Sequence, residues 1–203
     1  ARTFALWALL YTGDIRELSR RQPELLKVAH ESDDRFAVLN FGTVVTTYIL
    51  LGADRPAELR RRLDEDRELL SRKGFFVQNH MWLLASPFLE LYCGNAGAAW
   101  EGIKHKWPTY RLSFLGQLQQ ARIDFLQSQG RAAIAAAAAG QSGQASLETA
   151  DRVARRLRRE AVPWATALAL ALEAGTASVR GDAARASQLL HQATIALERA
   201  DMD

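Results

Sequence analysis

Apolar residues recur along this chain at intervals of three and four, the spacing of one helix face, nearly from end to end. No segment alternates apolar and polar positions between hairpin turns, so the pattern predicts an all-α fold. Breaks fall at Gly, Asp, Asn and Pro. The first predicted helix runs from Thr3 to Tyr11 and stops at Gly13. The second starts on Asp14 and carries Ile15, Leu18, Leu25, Leu26 and Ala29 inward to about His30, with a local irregularity expected at Pro23. The third spans Arg35 to Leu51 and closes on Gly52. Pro56 opens the fourth, which reaches Lys73 and a Gly74 cap. The fifth runs from Phe75 to Cys93 with a kink at Pro87, and the sixth from Ala96 to Trp107. Pro108 opens a seventh that reaches Gln129 before Gly130, and a separate Ala-rich eighth covers Arg131 to Ala139. After a flexible interruption near 140–145, a ninth spans Ser146 to Glu160, a tenth Trp164 to Arg180, and an eleventh follows Gly181-Asp182.

Helix, short turn, helix is therefore the repeating unit. The leading helices begin near residues 3, 35, 75, 109 and 163, and the early intervals of about 32 to 40 residues are those of helical-hairpin solenoids. Each hairpin has an apolar face that it cannot bury alone, so neighbours must stack. The expected architecture is a right-handed solenoid of about five antiparallel hairpins, with residues 1–203 forming a single solenoid fragment.

Composition changes this picture little. Five prolines in 203 residues, with abundant Ala and Leu, favour helix. The net charge of +3 is carried almost wholly by Arg, since Lys occurs only at 27, 73, 104 and 106. A coding bias towards Arg explains this better than a nucleic-acid surface does. Cys93 is the only cysteine, which removes an internal disulfide and Cys-based zinc sites and fits a reducing, cytoplasmic setting. Its neighbours Leu91 and Tyr92 suggest a buried thiol. No apolar run approaches the ~18 residues of a spanning helix, and both ends read as cuts through a longer chain.

The last hairpin resembles a tetratricopeptide (TPR) unit. Ala174, Ala186 and Ala193 are small residues flanking the Gly181-Asp182 turn, with Leu190 as the large apolar residue between them. The hairpins at Gly13-Asp14 and Gly94-Asn95 are degenerate versions. The stretch from Pro163-Trp164-Ala165 through Arg180-Gly181-Asp182 to Leu189-Leu190 and Ala200-Asp201-Met202 is similar to the tail of bacterial signalling proteins that join a serine/threonine kinase, an ATPase module and a TPR-like region. That resemblance implies a regulatory or docking role. It brings no kinase or ATPase activity, because neither signature is present.

Catalytic chemistry is missing at sequence level. There is no phosphate-binding Gly-x-x-x-x-Gly-Lys-Ser/Thr loop, no His-Glu-x-x-His and no Gly-x-Ser-x-Gly. His30, His80, His105 and His191 lack metal-ligand spacing and read as surface or helix-end residues. No metal or cofactor is expected. Asp64, Glu65, Asp66 and Glu68 alternate with Arg60, Arg61, Arg62 and Arg67 as a solvated face.

Binding is the function class that remains. The leading helix of each hairpin should line a concave surface. Polar residues on them, Asn40, Thr43 and Thr47, then Asn79, Trp82, Ser86 and Glu90, then Tyr110, Ser113, Gln117, Gln120 and Asp124, would face it, as would Thr166, Glu173, Thr176 and Arg180. Asn40, Asn79 and Gln117 are expected on one common concavity. The predicted function is a non-catalytic interaction or sensor region that binds a protein, a peptide or a small ligand, with a homodimer through exposed repeat faces as a further expectation. The alternative is a nucleic-acid-linked regulator that uses Arg152, Arg155, Arg156 and Arg159 on one helix face. Asp151 and Glu160 bracket that cluster and no aromatic residue interleaves it, which argues for a plain solvated face.

Overall fold

The computed structural model of the chain describes residues 2–68, 76–141 and 143–200, and those residues are helical with short turns and no strand. The expected Gly74 cap lies outside the described residues. The internal contacts divide the chain into two compact units that meet at Cys93 and Gly94, so the Gly140 turn lies inside the second.

The first unit holds α1 (Arg2–Tyr11), α2 (Ile15–Glu31), α3 (Arg35–Leu39), α4 (Thr46–Gly52), α5 (Pro56–Glu68) and α6 (Val77–Tyr92). Gly13 turns the chain between α1 and α2 with φ 73°, a left-handed conformation that a side chain would strain. The Asp14 carboxylate then caps α2 by accepting from Glu17 N at 3.0 Å, and Asp34 caps α3 through Ala37 N. Leu6, Leu18, Ala29, Ala37, Phe41 and Val45 form one core, and Leu50, Leu51, Leu59, Leu63, Ala85 and Leu89 another. Pro23 lies inside α2 and Pro87 inside α6, and neither ends its helix.

The helix predicted from Arg35 to Leu51 is continuous but not uniform. A π-helical turn, Asn40–Val45, joins α3 to α4. Such a widened turn frees backbone groups that need other partners. The Phe41 carbonyl accepts from Thr46 Oγ1 at 2.8 Å and from the buried Gln22 Nε2 at 3.1 Å.

The second unit holds α7 (Ala96–Ile103), α8 (Trp107–Leu112), α9 (Gln119–Ala138), α10 (Gly143–Arg159), α11 (Pro163–Val179) and α12 (Ala183–Glu198). Two predicted boundaries move. The helix expected over Pro108–Gln129 breaks at Ser113, whose extended backbone opens a 3₁₀ turn, Phe114–Gln117. The Ser113 hydroxyl donates to Tyr110 O and accepts from Gly116 N, which holds that break. Gly130, expected to separate two helices, instead sits in the middle of α9. It is a contact glycine: a Cβ there would lie 2.4 Å from Leu172 Cδ1. The Ala-rich stretch is thus the second half of α9, with Ala132, Ala133 and Ala136 fully buried.

α9, α10 and α11 share a core of Ile123, Leu126, Val153, Leu157, Ala165, Ala169 and Leu172. α11 and α12 form the hairpin around Gly181, and Ala174, Ala186 and Ala193 are all buried in it. Leu189, not Leu190, is the large residue packed between them, since Leu190 is 54% exposed.

Candidate functional site

Most residues expected on a common concavity are engaged by their own helix or by a neighbouring one. Asn40, Thr43 and Thr47 are buried. Asn40 Nδ2 donates to Phe36 O at 2.8 Å, and Thr47 Oγ1 donates to Thr43 O at 2.8 Å. Asn79 Oδ1 caps α6 by accepting from Phe76 N. Trp82 Nε1 donates to Leu63 O, and Glu90 takes the Arg60 guanidinium at 2.5 Å. Ser86, between them on α6, is half-buried.

In the second unit Tyr110 is fully buried and stacks on Phe125 with ring centroids 4.4 Å apart, so it is core. Burial pushes its phenol well above the ordinary range. Ser113 holds the helix break, Gln117 is exposed, and Gln120 Nε2 donates to Asp124. Thr166 and Thr176 donate to carbonyls of their own helix or its start, and Glu173 and Arg180 pair with Arg158 and Asp151. Asn40 and Asn79 thus act as helix-internal donor and cap, while Gln117 belongs to the other unit.

One member of the set does reach an opening. Thr43 lies on a cleft of about 510 Å³ in the first unit, between α2, the α3–π segment and α5. Its floor is Leu26, Val38 and Leu39, and Gly42 contributes bare backbone from the π turn. A Cβ on Gly42 would meet nothing within 4 Å, so the missing side chain leaves open space. Thr43 Oγ1 donates to Asp66 Oδ2 at 3.1 Å. Burial pushes the Asp66 carboxyl up, and the Thr43 bond opposes that shift. Arg62 reaches Glu58 at 3.4 Å, and Glu58 also holds Arg55. Arg61 and Glu65 also line the cleft, each without an ion-pair partner among the described residues, so the lining sets Arg61 and Arg62 against Glu58, Glu65 and Asp66. This arrangement can bind a polar group beside an apolar one.

Sequence reasoning missed Gln22, Gly42 and Arg61. Gln22 was visible in principle: it falls on the stripe Leu18, Gln22, Leu25, Ala29, where an amide amid apolar residues signals a buried hydrogen bond. Gly42 and Arg61 carried no such signal. Two further expectations are corrected. His80 is buried, and burial lowers its imidazole to about 4. Cys93 is exposed at the end of α6, near Arg60, because the helix stops before its side chain is covered.

Among the described residues no group of three or more His, Cys, Asp or Glu could hold a metal ion, and no helix is long and apolar enough to cross a membrane. No protein-family model matches the chain, and no curated protein and no solved structure is significantly similar to it.

Proposed function

We propose that the chain is a non-catalytic interaction region of a larger cytoplasmic signalling protein of the kinase–ATPase type, built from TPR-like hairpins stacked as a right-handed solenoid. Three buried alanines at the α11–α12 crossing support the hairpin type, because small residues let two helices approach closely. The binding reading rests on one observation: the cleft over Gly42 combines the apolar Leu26, Val38 and Leu39, a hydroxyl–carboxyl pair and charges of both signs in Arg61 and Glu65. Such a mixture suits a short peptide that carries a hydrogen-bonding polar residue beside an apolar one.

The test is a peptide array probed with the chain and with Gly42→Gln, whose Cβ would enter open space with no neighbour within 4 Å. Peptides that pair a polar with an apolar residue are expected to bind the wild type and to lose at least about tenfold in affinity with the variant, a change of ~1.4 kcal/mol. Peptides that bind both proteins equally would place recognition elsewhere and overturn the reading.

A further inference from the structure

The arginines of α10 have a different setting from the one their sequence implies. Asp151 and Glu160, which bracket the cluster, both turn to other helices. Asp151 takes Arg180 at 2.7 Å, and Glu160 takes Arg122 at 2.6 Å. Glu173 takes Arg158 at 2.7 Å. Glu148, one turn before Arg152, accepts from Gln144. Asp151, Glu160 and Glu173 are thereby neutralised while Glu148 keeps its charge, and Arg111, Arg152, Arg155, Arg156 and Arg159 have no ion-pair partner among the described residues.

Arg111, Arg152 and Arg159 lie close around Arg156. Arg156 is half-buried with its Cζ 4.4 Å from the Trp107 ring centroid, a cation–π contact that fixes its direction. Burial and the like charges of Arg152, Arg111 and Arg159 hold its guanidinium below the usual value. The aromatic partner missing from the helix sequence comes from α8. Residues 152, 155, 156 and 159 form a row along about 10 Å of helix axis.

Exposed apolar side chains lie on the segment between α8 and α9: Leu112, Phe114 and Leu118 are 80%, 76% and 43% exposed. Contacts near both ends of that segment reach α10 or its C-terminal end. Trp107 meets Arg156 before it, and Arg122, after it, binds Glu160 and also donates to Gly116 O and Gln117 O. Large apolar side chains at such exposure, on a segment so linked to the helix of the basic row, mark an interaction surface.

We infer that this face of the second unit docks an acidic amphipathic helix of a partner protein, carboxylates on the α10 arginines and apolar side chains on Leu112, Phe114 and Leu118. A nucleic acid would neutralise the arginines but leave the three apolar side chains in water. An anionic bilayer needs no fixed guanidinium, whereas Arg156 is held in place on the Trp107 ring. A linear row at helical spacing matches carboxylates presented at helical spacing. The site is separate from the Gly42 cleft, and each reading can fail without the other.

The probe is a fluorescent synthetic helix of Leu and Glu in heptad spacing, titrated with the whole chain and read by anisotropy. Binding should weaken as salt rises. Arg155→Glu with Arg159→Glu should lower affinity at least about tenfold, as reversal of rim charges does, while Arg155→Lys with Arg159→Lys keeps most of it. Leu112→Ser with Phe114→Ser should abolish the preference for this helix over a scrambled peptide of the same composition. Circular dichroism of each variant reports whether the fold is intact. The inference is overturned if the scrambled peptide binds wild type equally well, or if the folded charge-reversed protein binds unchanged. It is also overturned if a DNA oligonucleotide or phosphatidylserine vesicles bind more tightly than the helix with the same arginine dependence.

Discussion

Gly130→Ala separates a helix-propensity effect from a packing effect at one atom. In an exposed helix interior, Ala is better than Gly by about 1 kcal/mol. Gly130 lies inside α9, where the new Cβ would fall 2.4 Å from Leu172 Cδ1, 3.0 Å from Leu172 Cδ2 and 3.2 Å from Val153 Cγ1. Carbon atoms rest at about 3.5–4.0 Å, so Leu172 must move by roughly an ångström. It has little room: Leu172 is 4% exposed and belongs to the core with Ile123, Leu126 and Leu157. Overpacking of this kind costs about 1–3 kcal/mol. Subtracting the propensity gain leaves a net loss of about 1 kcal/mol, a fall in melting temperature of several degrees for a unit this size.

Urea unfolding followed by circular dichroism and by tryptophan fluorescence measures the change. Leu172→Ala alone should cost about 2–5 kcal/mol through the cavity it leaves. In the double variant the methyl group added at position 130 enters that space, so the pair should be less damaged than the sum of the singles by about 1 kcal/mol or more. If Gly130→Ala raises the unfolding midpoint, or if the two changes add, the contact between α9 and α11 is not tight and the reasoning fails.

Two other outcomes test buried polar groups in the first unit. Gln22→Leu removes the amide that bonds Phe41 O and Thr46 Oγ1, and should cost about 1–2 kcal/mol in urea unfolding; an unchanged midpoint would show that the π turn does not need it. His80 is held neutral by burial, with its folded value lowered from 6.5 to about 4, so the unfolded chain binds the proton first. Stability should be full above pH ~6.5 and fall as pH drops towards 4, by at most ~3 kcal/mol, and His80→Leu should flatten that slope in a pH series of melting temperatures.

The all-α character and most helix starts were legible because they are local. Asp14, Asp34 and Asp182 cap the helices they precede, and Gly13 and Gly181 take the left-handed turns their positions suggested. Glycine itself is ambiguous. Gly140 and Gly130 look alike in a helical pattern, yet Gly140 turns the chain with φ 72° while Gly130 admits the Leu172 side chain from α11. Only a residue about forty positions away distinguishes them. The polar stripes are ambiguous for the same reason. Asn40 and Thr47 have helical spacing whether their side chains face a groove or bond back to their own backbone, and here they bond back. The Arg row of α10 was legible as a row, but its charge balance was not. Counting along the helix sets Asp151 and Glu160 against it, and the fold assigns both carboxylates to Arg180 and Arg122. Pairing across helices depends on which side chain is nearest in space, and a charge screened in the sequence can stand free on the surface. For this chain, the net charge of +3 therefore says less about charge distribution than the position of the arginines on and beside α10 that the fold leaves without a counter-ion among the described residues.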